Sequence, residues 1–248
     1  MKKTFAIAAL LSTLASQTAA LDLGALTDDE RAAFRDEMRA YLLENPEIIV
    51  EALEVLKNRE AQDAAQNDVL LVQSNAPALF NSAADWVGGN KTGDITIVEF
   101  MDYQCGYCRK AHDEITELVA SDGNIRFILK EYPILGENSD LSARFAIAVR
   151  QTAGDDAYKA AHDALMTLRA DISAAALAQI ATDLGLDPAA VTAQMQSNDV
   201  SAVIAANRAL GDAMQVNGTP TFIVDQTMLR GYVPLDGMRE IVADERKG

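Results

Sequence analysis

The sequence predicts an α/β fold with a helical insertion, preceded by an all-helical segment, and three observations carry the prediction. From Ile95 to Ala120 a β-branched, apolar strand pattern hands over at Cys105-Gly106-Tyr107-Cys108 to a helical one, with Ala111, Ile115, Leu118 and Val119 at helical spacing. More than a hundred residues later, Pro220 opens another β-prone run, Thr221-Phe222-Ile223-Val224. Between them, from about Ser139 to Met214, the chain reads as helix after helix.

The elements follow in order. Residues 1–20 read as a signal peptide: Lys2 and Lys3, an apolar core from Phe5 to about Leu14, and Thr18-Ala19-Ala20 before a cut that leaves Leu21 first. Thr27, followed by Glu30, is a capping box, and Phe34, Met38, Tyr41 and Leu42 recur on one helix face. Asn45-Pro46 closes that helix and starts a second, lined by Ile48, Ile49, Leu53 and Leu56. Residues 21–75 thus form a helical segment and linker. The polar stretch from Lys57 to Asp68 either continues as an exposed helix or acts as a semi-rigid arm. Asn75-Ala76-Pro77 is expected to break it, with Leu79-Phe80 starting an edge strand of a second domain, 76–248. Gly88-Gly89-Asn90 and Thr92-Gly93-Asp94 are expected turns before the central strand.

After the CxxC helix, Gly123-Asn124 turns the chain into a second strand, Ile125 to Lys130. The insertion then reads as helices over Leu141–Thr152, Asp156–Leu168, a run capped by Ser173, one opened by Asp187-Pro188, and Ser201–Met214. Asp225-Gln226 turns the Pro220 strand into a last one through Met228-Leu229-Arg230, and a helix from Leu235 to about Glu245 closes the chain.

Both cysteines of the chain lie in the CxxC, so no separate structural disulfide is available to them. At a strand-to-helix junction, unpaired amides and the helix dipole stabilise a thiolate. A redox pair is the simplest use of two such thiols in an exported protein. Cys105 is the expected nucleophile and Cys108 the resolving thiol. A formal charge of −16 argues against nucleic acid and anionic membranes as partners.

Val98-Glu99-Phe100, Cys105-Gly106-Tyr107-Cys108, Lys130-Glu131-Tyr132-Pro133 and Gly218-Thr219-Pro220-Thr221-Phe222 together resemble the DsbA-like branch of the thioredoxin superfamily, from about Asp94 to the C-terminus. The resemblance implies a thioredoxin fold with a DsbA-like helical insertion, a cis Pro220 lying against the CxxC, and thiol-disulfide oxidoreductase activity in the periplasm. It implies secreted proteins with cysteines as clients and a membrane or periplasmic redox partner. Gly106-Tyr107 and Thr219 resemble disulfide isomerases more than strongly oxidising DsbA proteins. The stretch around Tyr41-Leu42-Leu43-Glu44-Asn45-Pro46 is similar to the oligomerising segment of isomerases of the suppressor-of-copper-sensitivity group, which implies a homo-oligomer, by resemblance a trimer. From the residues alone, the apolar faces either meet copies of themselves or fold back on the catalytic domain. Isomerase or reductase, monomeric dithiol oxidase, and non-enzymatic copper-handling or assembly module stay open as functions.

Around the cysteines, Thr219 is expected to present backbone groups to a substrate chain. Gly106 and Tyr107 tune the thiols. Glu99, the one acid in an apolar strand, is a candidate proton relay for Cys108, with Lys130 as its partner. No cofactor and no metal are expected. His112, four residues after Cys108, is the one conceivable third ligand beside the thiols, His162 is expected at the surface, and Met101, Met214 and Met228 in the core.

Overall fold

The computed structural model describes residues 24–247, so the expected signal peptide and the cut after Ala20 lie outside the described residues. The chain divides into two compact units, one up to Arg59 and one from Glu60. The first contains α1 (Asp28–Glu44) and the start of α2 (Glu47–Phe80). Thr27 caps α1: Glu30 N donates to its hydroxyl at 3.3 Å, and the Glu30 carboxylate accepts from Thr27 N at 2.8 Å. α1 contains no buried residue.

The second unit is built on a five-stranded sheet. Its strands are β1 (Trp86–Gly89), β2 (Ile95–Met101), β3 (Ile125–Glu131), β4 (Thr221–Val224) and β5 (Thr227–Arg230), in the order β1-β3-β2-β4-β5. Only β2 and β3 run parallel, as they must when α3 (Gly106–Asp122) crosses between them. Between β3 and β4 lie α4 (Glu137–Ala153), α5 (Asp155–Thr167), α6 (Ala174–Asp183), α7 (Pro188–Met195) and α8 (Asn198–Ala213), and α9 (Leu235–Glu245) ends the chain. Ser173 and Asp187 cap α6 and α7 through their side chains, at Ala176 N and Ala189 N.

Strand alternation gives each sheet face its own core. Ile97 and Met101 of β2, Phe127 and Leu129 of β3 and Phe222 of β4 pack with α3, α9 and much of the insertion. Val98, Phe100, Ile128 and Ile223 face the other way, onto Val72 and Leu79 of α2 and Leu210 of α8. Met101 belongs to the first core, Met214 and Met228 to the second, so all three serve packing.

Two local expectations are corrected. Asn75-Ala76-Pro77 does not break the chain, and Leu79-Phe80 ends α2 rather than opening a strand. A proline inside a helix costs about 3 kcal/mol. Val72 and Leu79, seven residues apart on one face, are 2% and 0% exposed, and burying two such side chains returns roughly 3–6 kcal/mol. Pro77 also lies only three residues before the end of α2, so little of the helix follows the lost donor. Gly88 and Gly89 are not a turn either: they finish the edge strand β1, paired with Phe127 and Arg126. Gly88 is required because the Trp86 indole lies across it, 2.1 Å from where a Cβ would sit.

Candidate active site at the start of α3

β2 ends at Met101, and a turn centred on Asp102 delivers the chain to α3. Asp102 is 1% exposed; one carboxylate oxygen accepts from Gln104 N at 2.8 Å, the other from Ile134 N and Leu135 N at 2.9 and 3.1 Å. This ties the turn to the loop leaving β3. Cys105 is the N-cap of α3, and its sulfur accepts from Cys108 N at 3.4 Å, the place that a Ser or Asp side chain takes in an ordinary cap. Against it lies the Thr219-Pro220 peptide bond, which is cis. The protonated Cys105 thiol donates to Thr219 O at 3.1 Å. β4 is antiparallel to β2, with Thr221 opposite Phe100, and this register brings Thr219 and Pro220 beside the cysteines.

The two sulfurs differ in environment. Cys108 is fully buried and Cys105 is 7% exposed. A hydrogen bond from the Cys108 side chain, then the Thr219 hydroxyl and the amides of Cys108 and Tyr107, bring the Cys105 pKa down to about 5 against the opposing effect of burial. Burial pushes Cys108 far above the ordinary thiol range; its hydrogen bond to Cys105 and the charge of Glu99 act in the same direction. Glu99 is raised to about 8, by burial first and the Cys105 charge second. Its Oε1 is buried without a hydrogen-bond partner.

Lys130 does not join this group. In the parallel register Glu99 lies beside Leu129, and Lys130 beside Phe100 on the opposite sheet face. There the Lys130 ammonium pairs with Asp85 and donates to Ala78 O at 2.6 Å. Both members of the pair are almost fully buried. Burial lowers Lys130 and raises Asp85, each partly restored by the other. Nothing in Ala84-Asp85-Trp86 marks Asp85 as that partner in advance.

Gly106 has open space where a side chain would go, and Tyr107 is exposed. The Tyr107 ring stacks on Tyr232 with centroids 6.1 Å apart, and Lys110 Nζ sits 4.2 Å from the Tyr232 ring centre. A shallow cavity of about 270 Å³, lined by Asn217, Thr219, Pro220, Arg230 and neighbours, opens beside the cis bond. His162 departs from expectation: it is buried, 3% exposed, in a network that sequence reasoning missed entirely. Its Nδ1 meets Tyr103 OH at 3.1 Å, and the hydroxyls of Tyr103 and Tyr158 both donate to Glu131 Oε1. Glu131 is raised to about 8 by burial. The only signal in the sequence was the acid of Lys130-Glu131-Tyr132-Pro133 at the end of an apolar strand.

The oligomerisation candidates lie in the first unit. Phe34, Met38, Tyr41, Ile49, Leu53 and Leu56 are exposed, and Leu42 is partly buried.

A family model for the DSBA-like thioredoxin domain matches residues 96–243, and one for the copper resistance protein ScsC N-terminal domain matches residues 30–63. A thioredoxin-like oxidoreductase from Silicibacter pomeroyi DSS-3 is 39% identical, covering 69% of this chain and 98% of its own, with a TM-score of 0.65. BcfH of Salmonella enterica Typhimurium is 26% identical over 89% of this chain and 97% of its own, with a TM-score of 0.73. Na(+)/H(+) antiporter NhaA 1 of Salinispora arenicola is 27% identical over 66% of this chain. This chain spans about a quarter of the length of the first curated relatives it matches. Among the described residues, no helix is long and apolar enough to cross a membrane.

Proposed function

The chain belongs to the DsbA-like thioredoxin family of thiol-disulfide oxidoreductases, and from that premise we propose that it acts in the periplasm on cysteine-containing secreted proteins, as a disulfide isomerase or reductase. The observation carrying this reading is the division of labour between the sulfurs. Cys105 is a thiolate at neutral pH, while Cys108 is buried and protonated. The Cys105 thiolate attacks one sulfur of a client disulfide; a Cys105–client disulfide forms and the other client sulfur leaves as a thiolate. Thr219 offers its backbone, and the cavity beside Pro220 room, to the client chain as a short added strand.

The mixed disulfide has two fates. Once Cys105 is bonded, its charge no longer raises Glu99, and its hydrogen bond no longer raises Cys108. Glu99 then ionises more readily and takes the Cys108 proton. The new thiolate attacks Cys105, releases the client as a thiolate and leaves the protein oxidised. Alternatively another client thiolate attacks first, so that the client disulfide moves and Cys105 returns as a thiolate. Deep burial of Cys108 slows the first route and so favours the second.

The exposed faces of α1 and early α2, together with the ScsC N-terminal match, support self-association through this segment, with a trimer as the resemblance-based number. Several CxxC sites around a shared space suit rearrangement of misfolded clients.

One observation favours a second reading, dithiol oxidase served by a reoxidising partner. A thiolate with a pKa near 5 stabilises the reduced state and makes the disulfide a better oxidant. The experiment is recovery of scrambled ribonuclease by the reduced protein. Regain of ribonuclease activity supports the isomerase; oxidation of reduced ribonuclease with scrambled enzyme left inactive gives the oxidase reading precedence. For the oligomer, removal of the chain before Glu60 is the suitable truncation, since cutting as far as Gln73 would also remove core Val72 and the Asp68 that pairs with Arg230. Light scattering should find the truncated form monomeric and the longer form not; equal subunit numbers refute self-association through this segment.

A further inference from the structure

One turn along α3 from Cys108, His112 faces His162 and Asp163 of α5. One ligand atom from each of the three lies within 4.8 Å of those of the other two. His112 Nε2 and Asp163 Oδ1 are 3.2 Å apart, close to the edge of about 3.3 Å for a tetrahedron built on metal–ligand bonds of about 2.0 Å. The imidazole rings of His112 and His162 are 5.2 Å between centroids.

The surroundings select the right form of His162. Tyr103 has one hydroxyl proton, and it goes to Glu131 Oε1 at 2.8 Å. His162 Nδ1 must therefore be the donor in its 3.1 Å contact with Tyr103 OH. That fixes the tautomer and leaves Nε2 with its lone pair. A metal-ligating histidine ordinarily has its second nitrogen tied in this way to an outer partner.

We propose that His112, His162 and Asp163 form a site for a divalent transition-metal ion of the Zn(II) type, clamping the insertion helix α5 to the active-site helix α3. Two imidazoles and a carboxylate are borderline nitrogen and oxygen donors, which suits Zn(II) better than a soft monovalent ion or a hard alkaline-earth ion. A fourth position would go to water on the side where Asp163 is open, its side chain 41% exposed. Lys159 Nζ lies 2.6 Å from both Asp163 oxygens and is the competitor. That i,i+4 pair sits where the two side chains are 33% and 41% exposed, and such pairs are weak enough for a metal ion to displace the lysine from Oδ1. The site uses neither cysteine.

The probe is Zn(II) alone, added to the untagged chain with Cys105 and Cys108 locked as a disulfide so that thiolates cannot bind. Calorimetry should find one ion per chain and a higher melting temperature with metal. Affinity should fall at least tenfold in His112→Gln and in Asp163→Asn, and also in Tyr103→Phe, which removes the outer partner of His162 together with one of the two hydroxyls on Glu131. Truncating His162 itself risks unfolding the core, so the half-exposed Asp163 provides the deciding variant, with its circular dichroism matched to the parent. No uptake at micromolar Zn(II), or uptake equally tight in Asp163→Asn and His112→Gln, overturns the proposal.

Discussion

Replacing Thr219 by valine tests how the Cys105 thiolate is held. The swap keeps the branched shape before the cis bond and the backbone carbonyl that meets Cys105, and removes only a hydroxyl. That hydroxyl is buried without a hydrogen-bond partner, so its proton is free to turn to the Cys105 thiolate, whose pKa it lowers. A hydrogen bond to a charged group contributes about 1.5–3 kcal/mol. At 1.36 kcal/mol for each pKa unit, Thr219→Val should raise the Cys105 pKa by about 1–2. The thiolate fraction at pH 7 would fall from about 99% to between half and nine-tenths, so a rate measured at pH 7 moves by at most about twofold. The midpoint of thiolate absorbance at 240 nm moves clearly, and it reports Cys105 alone because Cys108 does not titrate in the accessible range. The same free energy should make the disulfide harder to reduce by about 30–60 mV against glutathione. A midpoint within about 0.3 of the parent, or lower, would show that α3 and its amides hold the thiolate without Thr219.

Glu99→Gln removes the proposed proton acceptor and should lengthen the life of the mixed disulfide about 10²-fold, read by acid quench and mass spectrometry, with Cys105 alkylation nearly unchanged; equal lifetimes refute the relay. Lys130→Met should cost about 3–5 kcal/mol in urea unfolding, because Asp85 is left buried and unpaired, while Asp85→Leu in the same chain recovers most of it; a small single-variant loss would mean that water or Arg126 rescues Asp85. Stability should depend on pH differently in the two redox forms. Burial raises Glu99 and Glu131 in both forms, Glu131 to about 8 and Glu99 to about 8 where the Cys105 charge adds to burial in the reduced form, so both forms lose stability as pH rises above about 4.5. Cys105 has a folded value lowered to about 5, so the reduced form alone regains stability as pH rises from 5 toward the free thiol value. The reduced-minus-oxidised difference in denaturation midpoint should therefore grow from pH 5 to 8, and a flat difference refutes the Cys105 value.

The parts legible in the sequence were those set by local chemistry. The caps at Thr27, Ser173 and Asp187 and the strand-to-helix handover at Cys105 depend on residues within one helical turn of each other. The misread parts depend on distant neighbours. Pro77 sits inside a helix because the sheet face buries Val72 and Leu79, which no local pattern can report. Gly88 looked like a turn because the Trp86 indole that lies across it is a tertiary fact. His162 looked exposed because Tyr103 and Glu131, which join Tyr158 of its own helix around it, come from elements distant in the chain.

The Glu99–Lys130 error is of another kind, and it bears on the chemistry. Both residues were correctly placed in adjacent strands, but a one-position difference in parallel register sends their side chains to opposite faces. Had Lys130 faced Glu99, its charge would have kept the carboxylate ionised near Cys105. A permanent negative charge there would oppose the thiolate that the start of α3 and the Thr219 hydroxyl stabilise. With Lys130 committed to Asp85, burial and the Cys105 charge together keep Glu99 mostly neutral beside the thiolate, and bonding of Cys105 removes the second of these, so Glu99 ionises more readily. The parity of one strand pair thus leaves the acceptor tuned by the Cys105 charge, so that it is a readier base in the mixed disulfide than beside the free thiolate.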